Sequence, residues 1–218
     1  MTRPDFSFEK KLWGKNIKFV LGVDEVGRGA FAGPLVAAGV IFPKTNKITK
    51  RLSFLKDVND SKLIKAPLRK KLALQIKKHA LFWSIQEIDI QTINHLGIGR
   101  ANKMAFRLVT KDLLGKLDKS SNYFLLSDGY PVKFIKKIGL KRQLGIIDGD
   151  KKSLTIAAAS IIAKVHRDSI MRKLAKNYPH YKFSRNKGYG TKSHQEALRI
   201  HGLTEIHRTS FELTKFLS

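Results

Sequence analysis

The chain contains no cysteine among its 218 residues. This absence excludes a disulfide scaffold, a thiolate metal site and a cysteine nucleophile, and it agrees with a reducing cytoplasm. Long hydrophobic runs are also lacking. The longest uncharged candidate, residues 30–43, is interrupted by Gly33 and Pro34 and falls short of the ~20 apolar residues that a membrane span needs. The segment 1–18 has no apolar core of a signal peptide, so we expect a cytoplasmic protein without a membrane partner.

Acidic residues are scarce relative to basic ones. The sequence has 17 Asp and Glu against 43 Lys and Arg, which gives a net charge of +26. The hydrophobic fraction of 42% argues against a disordered tail, so this charge belongs to a folded protein. The simplest partner for such a surface is a polyanion, most plausibly nucleic acid. Compositional drift toward lysine is the alternative explanation, and charge by itself does not separate an enzyme from a binding protein.

No repeat, low-complexity tract or linker divides the chain, so we predict one domain over residues 1–218. Apolar runs predict five strands, and helical spacing of apolar residues predicts four helices and a closing amphipathic helix. The strands are expected over 17–24, 35–42, 80–88, 123–127 and 142–147, and the helices over 62–79, 93–117, 154–175, 193–200 and 211–217. Three successive strands followed by alternating strands and helices predict an α/β fold with a mixed sheet flanked by helices.

Acidic residues stand at the carboxyl ends of three apolar strands. Asp24 and Glu25 end the first predicted strand, Asp128 ends the fourth, and Asp148 and Asp150 follow the fifth. A carboxylate beside so many apolar residues needs partners or a cation to offset its desolvation. Because ligand sites form outside the carboxyl ends of parallel strands, these acids are expected to converge.

Four carboxylates without cysteine form a ligand set for hard cations such as Mg²⁺ or Mn²⁺. Two such cations, roughly 3.5–4 Å apart, support in-line displacement at a phosphodiester. In a strongly basic protein, the acidic cluster therefore predicts a metal site within a phosphate-binding groove. The alternative is that Asp128-Gly129 and Asp148-Gly149 are ordinary turns after strands.

Several motifs occur in one fixed order along the chain. The run 22–29 (GVDEVGRG) is followed by AGP at 32–34, DSK at 60–62, SDG at 127–129 and GD at 149–150. IAAASIIAK at 156–164, RD at 167–168, KGYGT at 187–191, HR at 207–208 and SF at 210–211 come after them. This series resembles the bacterial ribonuclease HII family, a type 2 ribonuclease H, over about residues 22–211.

The resemblance implies an RNase H-like fold with a C-terminal helical extension, in which the first strand neighbours the fourth. It also implies metal-dependent cleavage of the RNA strand of RNA/DNA hybrids. DNA duplexes would be nicked 5′ to embedded ribonucleotides, leaving 3′-hydroxyl and 5′-phosphate ends. By this resemblance the catalytic and metal-binding residues are Asp24, Glu25, Asp128 and Asp150, acting with two Mg²⁺ or Mn²⁺ ions. Asp150 is preferred to Asp148 because its Gly149-Asp150 pairing matches the family pattern.

The nucleic-acid contacts implied by the resemblance are Gly27, Arg28, Gly29, Ser61, Lys62, Lys187 and Tyr189. The two glycines of the Gly-Arg-Gly run remove side chains where backbone groups could approach a 2′-hydroxyl, the group that distinguishes RNA from DNA. Tyr189 would pack on the sugar beside the ribonucleotide. For the two glycines, the competing interpretation is a plain strand-to-loop turn. For Tyr189 it is a loop aromatic that covers a helix end. Ser61, Lys62 and Lys187 could each be a solvated surface residue. Ser160 is expected to be a small packing residue of its helix.

A second function class stays open, namely a non-catalytic basic nucleic-acid-binding protein whose acids are incidental. Duplex cleavage that requires Mg²⁺ or Mn²⁺ and stops with a chelator separates the two. His194 and His207 are candidates for general bases, with helix-capping or core roles as the alternative. Nothing in the sequence requires more than a monomer.

Overall fold

The computed structural model describes residues 3–45, 50–118, 120–135 and 138–217. Its strands are β1 (Phe19–Val26), β2 (Leu35–Ile41), β3 (Phe82–Ile88), β4 (Tyr123–Asp128) and β5 (Gln143–Ile146). Its α-helices are α1 (Ser7–Gly14), α2 (Ala66–His79), α3 (Ile90–Leu96), α4 (Ile98–Gly115), α5 (Leu154–Asn177), α6 (Phe183–Asn186) and α7 (Lys192–His201). Short 3₁₀ turns include Gly149–Lys151 and Thr214–Phe216.

The five strands form one mixed sheet in the order β3-β2-β1-β4-β5. Strand β2 pairs antiparallel with both β1 and β3, whereas β4 runs parallel to both β1 and β5. The β1–β4 register pairs Val23 with Ser127, and the β4–β5 register pairs Asp128 with Ile146. The predicted mixed sheet and the adjacency of the first and fourth strands are confirmed. Asp24 and Asp128 therefore leave the sheet side by side at one edge.

Helices cover both faces of the sheet because the strands are apolar on both sides. Successive side chains of β1 point to opposite faces, so Val20 packs into the core beneath α5 and Leu21 into the core beneath α4. The run of alanines at 157–159 lets α5 approach β1 closely. At Gly22 a Cβ atom would collide with the backbone of Thr155, so only glycine allows this approach. The close contact fixes α5 directly against the strand that carries Asp24.

The C-terminal helical extension packs as a third apolar cluster. It combines Met171 at the end of α5 with Phe183 of α6 and Leu198 of α7. The predicted closing helix over 211–217 is wrong, because only the 3₁₀ turn Thr214–Phe216 forms there.

The structure differs from the sequence analysis at two other helical segments. The helix expected over 93–117 is divided at Gly97, whose φ of +72° ends α3 before α4 begins. Helix α1, which was not predicted, carries a buried Glu9 and Trp13 in a segment whose charges obscure the apolar pattern. Among the residues that the structure describes, no helix is long and apolar enough to cross a membrane.

Candidate active site

A cavity of about 450 Å³ opens at the carboxyl ends of β1 and β4. It collects every site residue predicted from the sequence except Lys187. Its lining is Asp24, Glu25, Val26, Gly27, Arg28, Gly29, Ser61, Lys62, Asp128, Asp150, Ser160, Lys164 and Tyr189. The acidic side and the Gly-Arg-Gly side of this cavity face the same space, so a bound phosphodiester could contact both.

Three backbone elements deliver the four carboxylates to the cavity. Asp24 and Glu25 are consecutive near the end of β1, and Asp24 Oδ1 accepts a 2.7 Å hydrogen bond from the Glu25 amide. Asp128 is the last residue of β4, and its Oδ1 accepts a 2.7 Å bond from the amide of Gly149. Asp150 lies in the 3₁₀ turn that precedes α5 and is buried.

The carboxylates disfavour one another's charge. Burial raises the pKa of Asp24 well above its ordinary value, and the charges of Glu25 and Asp128 raise it further. Burial and Asp128 raise the pKa of Glu25 to about 7, against the opposing effect of Arg28. The pKa of Asp150 is also raised, by burial and then by Asp128. A group of acids that resists ionisation in this way is stabilised by a cation placed among them.

An oxygen-only donor set of this kind fits a hard divalent ion. In the described part of the chain, no three acidic or histidine side chains already stand together as a complete ligand group. All four carboxylates nevertheless line one cavity, so they share the space in which an ion would bind.

The structure distinguishes Asp150 from Asp148. Asp148 has a left-handed backbone with φ of +54° and an exposed side chain that pairs with Lys151 at 3.0 Å. That ion pair lowers the pKa of Asp148, so it behaves as an ordinary surface carboxylate. Asp150 is the member of the pair that lines the cavity.

The Gly-Arg-Gly run turns sharply out of β1. Gly27 has a φ of +90°, and a Cβ atom there would collide with the side chain of Arg167. The Arg28 guanidinium lies 6.0 Å from the ring of Tyr130. Both conformation and space therefore require glycine at position 27.

Ser61 and Lys62 are held in a fixed turn. Asp60 Oδ1 accepts a 2.9 Å bond from the Lys62 amide, and Arg69 Nε donates at 2.7 Å to the Ser61 carbonyl. The Lys62 side chain is exposed at the cavity, whereas Ser61 is buried. Lys187 lies outside the lining, and its ammonium bonds to the Ser184 carbonyl. The structure thus brings Ser61 and Lys62 to the site and leaves Lys187 beside it.

Tyr189 lies half-buried on a layer of basic side chains. Its ring centre is 5.4 Å from the Arg167 guanidinium and 5.8 Å from the Lys164 ammonium. Its carbonyl oxygen is 3.0 Å from Nδ1 of His194, which fixes the backbone of the Gly-Tyr-Gly turn. The tyrosine is therefore positioned at the cavity with two cations close to its ring.

His194 and His207 lie outside this cavity. Both are buried, and their Nε2 atoms are 3.1 Å apart. Burial and the neighbouring His194 lower the pKa of His207 to about 4. Of the two open interpretations for these histidines, the geometry favours the core role.

Two polar neighbours of the cavity acids escaped the sequence analysis. Ser160 was expected only to pack, but it lines the cavity, hydrogen bonds Asp24 and lies 3.0 Å from the Ser61 hydroxyl. Asn102, buried in α4, donates at 2.8 Å to the Tyr130 hydroxyl, and its side chain lowers the pKa of Glu25. The serine within the AAASI motif was a visible sequence signal for Ser160. Asn102 is a single asparagine in an amphipathic helix, and its sequence context contained no such signal.

The order and directions of the strands are those of an RNase H-like fold. The solved PCNA:RNase HII complex from Archaeoglobus fulgidus shares this fold, with a TM-score of 0.70, 21% identity, and coverage of 89% of this chain and 95% of that chain. Bst-RNase HIII in complex with Mn²⁺ gives a TM-score of 0.70 at 18% identity, covering 91% of this chain and 68% of that one.

The chain belongs to the ribonuclease HII family, whose sequence model matches residues 21–214. Ribonuclease HII of Caldanaerobacter subterraneus subsp. tengcongensis is 42% identical over 204 residues, which cover 94% of this chain and 78% of that relative. The chain is accordingly an endonuclease that hydrolyses RNA in RNA/DNA hybrids, and the reaction of this family depends on metal ions.

Proposed function

We propose that this enzyme also nicks DNA duplexes 5′ to embedded ribonucleotides, using Mg²⁺ or Mn²⁺ held by Asp24, Glu25, Asp128 and Asp150. The observation that carries the proposal is that these four carboxylates share one cavity with the Gly-Arg-Gly run and Tyr189. The related fold of Bst-RNase HIII was solved with Mn²⁺, which supports a divalent ion of this type.

In the proposed reaction, the chain's residues orient the scissile phosphate over the carboxylates. Bound divalent ions would supply Lewis-acid stabilisation of the attacking water and of the leaving 3′-oxygen. Asp128 is held by the Gly149 amide and Asp24 by the Glu25 amide, so these carboxylates are oriented before substrate arrives. Lys62 and Lys164 line the same cavity and would bind phosphate oxygens.

Recognition of the ribonucleotide is assigned to the opposite side of the cavity. The backbone of Gly27, Arg28 and Gly29 would contact the 2′-hydroxyl, and Tyr189 would pack on the adjoining sugar. Ser61 would orient the Lys62 turn against a phosphate. Lys187 is retained as a more distant phosphate contact, because its ammonium is on the surface beside the Tyr189 turn.

The proposed partner is therefore a nucleic-acid duplex, either an RNA/DNA hybrid or DNA with embedded ribonucleotides. The charge of +26 supplies long-range attraction to either duplex. We further propose that residues 1–218 form a single catalytic domain that acts as a monomer in the cytoplasm, where bacterial DNA lies.

A cleavage assay on a DNA duplex with one ribonucleotide tests the proposal. We expect one nick on the 5′ side of the ribonucleotide in Mg²⁺ or Mn²⁺, and none after addition of a chelator. A nick with a 3′-hydroxyl and a 5′-phosphate can be ligated. Successful ligation therefore shows that the bond between phosphorus and the 3′-oxygen was cut. Binding without cleavage in either metal would instead favour the non-catalytic alternative.

A further inference from the structure

Two arginine side chains are fully buried around the Gly-Arg-Gly run without a carboxylate partner. Arg167 and Arg208 both have 0% exposure. Within the described residues, neither guanidinium forms an ion pair with an acidic side chain. Both donate to backbone carbonyls of the specificity loop, which we define as residues 27–34.

Arg208 makes the more direct contacts with the part of this loop that lines the cavity. Its Nη1 donates to the Gly27 carbonyl at 2.6 Å and to the Arg28 carbonyl at 3.1 Å. Its Nε and Nη2 donate to the Gly33 carbonyl at 3.0 and 2.8 Å. One planar group thereby joins both ends of the specificity loop.

These hydrogen bonds engage carbonyl acceptors of the specificity loop and none of its amide donors. The carbonyls of Gly27 and Arg28 are turned toward the buried guanidinium. The amides of Arg28 and Gly29 donate to no protein atom in the described ranges, and both residues line the cavity. The loop therefore presents hydrogen-bond donors to the substrate side because Arg208 engages its carbonyls on the other side.

Burial of the Arg208 guanidinium costs folding free energy. A buried guanidinium without a carboxylate loses hydration that carbonyl oxygens replace only in part. The burial and the nearby Arg167 lower the pKa of Arg208 to about 9, which reflects this cost. In return, Arg208 fixes the geometry of the specificity loop, which an apolar side chain at this position could not do.

We propose that Arg208 is a positioning residue for ribonucleotide recognition, acting through the carbonyls of Gly27 and Arg28. The inference rests on the proposed role of the specificity loop in contacting the 2′-hydroxyl. Arg208 does not line the cavity, and within the described ranges its guanidinium forms no hydrogen bond or ion pair with the four carboxylates. Its loss should therefore alter substrate discrimination while the metal-binding carboxylates remain intact.

The decisive variant is Arg208→Lys, because a single ammonium retains the charge but cannot bridge three carbonyls. The matched control is Arg199→Lys on α7, where an exposed arginine pairs with Glu196. For each, kcat/KM is measured on a duplex with one ribonucleotide and on one with a long RNA tract. We expect the single-to-tract ratio to fall at least tenfold for Arg208→Lys and to stay unchanged for Arg199→Lys. Calorimetric Mn²⁺ affinity should stay within twofold of wild type in both.

A ratio that stays at the wild-type value in Arg208→Lys overturns the proposal. Partial unfolding does not imitate the expected result, because it lowers both rates by the same factor. As a second readout, low millimolar guanidinium should restore part of the ratio in Arg208→Ala, whereas equal sodium should not. If neither variant folds, Arg208 serves stability alone and the proposal is likewise overturned. A wild-type chain that cuts neither duplex would instead refute the proposed function.

Discussion

The amide of Gly149 donates a 2.7 Å hydrogen bond to Oδ1 of Asp128. This bond joins the end of β4 to the turn that carries Asp150, so two of the candidate metal ligands are held in one backbone unit. The remaining two, Asp24 and Glu25, leave the neighbouring strand β1 at the same edge of the sheet. The geometry of the acidic cluster is thus set by strand pairing and by a single amide.

The pair Asp148 and Asp150 provides an internal comparison. Asp150→Asn should reduce cleavage at least a hundredfold, because it removes a cavity carboxylate. Asp148→Asn should change the rate less than threefold, since it removes only a surface pair with Lys151. Initial rates on the same hybrid in Mg²⁺ check both. The reverse order would show that Asp148 is the ligand.

The raised pKa of Glu25 predicts a pH dependence of stability in the absence of metal. In the unfolded chain this carboxyl ionises near 4.5, whereas in the folded chain its pKa is about 7. The folded state therefore binds more protons between these values, and stability is lost as pH rises through that window. Glu25→Gln removes the ionisation, so its gain in unfolding free energy over wild type should grow from pH 5 to pH 8.

Urea unfolding of both chains in a chelating buffer measures this difference. Saturating Mg²⁺ should reverse it, because the ion stabilises the ionised wild-type cluster. A difference between the two chains that does not vary with pH would contradict the assigned cause.

The basic surface predicts strongly salt-dependent binding with weak dependence on base sequence. Each phosphate contact contributes ~0.9 to the slope of log affinity against log salt on B-form duplexes. With Asp24→Asn to prevent cleavage, we expect a slope steeper than about −3 on a ribonucleotide-containing duplex. Changing the base sequence around the ribonucleotide should leave the affinity nearly unchanged. A slope near zero would mean that the positive charge is compositional.

Tyr189→Ala should damage cleavage at a lone ribonucleotide more than cleavage within a longer RNA tract. A lone ribonucleotide offers one 2′-hydroxyl and one productive register, whereas a tract allows several. Aromatic contacts to nucleic acid contribute on the order of 1–3 kcal/mol, or roughly ten- to hundredfold in rate. Initial rates on two duplexes of equal length make the comparison.

Tyr189→Phe is the matched control, because it keeps the ring over Arg167 and Lys164 and removes only the hydroxyl. Equal loss on both duplexes in Tyr189→Ala would assign the residue to general binding. Retention of both rates would assign it to loop structure.

The sequence was sufficient to predict the strand ends and their convergence. Val23 and Ser127 lie in apolar runs followed by acids, and parallel pairing of such runs places the acids together. Gly97 could not be identified as a helix break, because glycine is tolerated within a helix, as Gly99 is in α4. The bonds of Arg208 were also unpredictable, since its partner Gly27 is 181 residues distant in the chain. Long-range contacts between a side chain and a backbone carbonyl leave no periodic signal.

Cleavage and binding by Asp24→Asn and Asp128→Asn test the central claim most directly. Asp24 lies near the end of β1 and Asp128 ends β4, and each variant removes a carboxylate charge from the cavity while nearly preserving side-chain shape. We predict that neither variant nicks a single-ribonucleotide duplex in Mg²⁺, and that both bind it as tightly as wild type or more tightly. Near-wild-type nicking by either variant in Mg²⁺ would contradict the assignment of these carboxylates to metal-dependent cleavage.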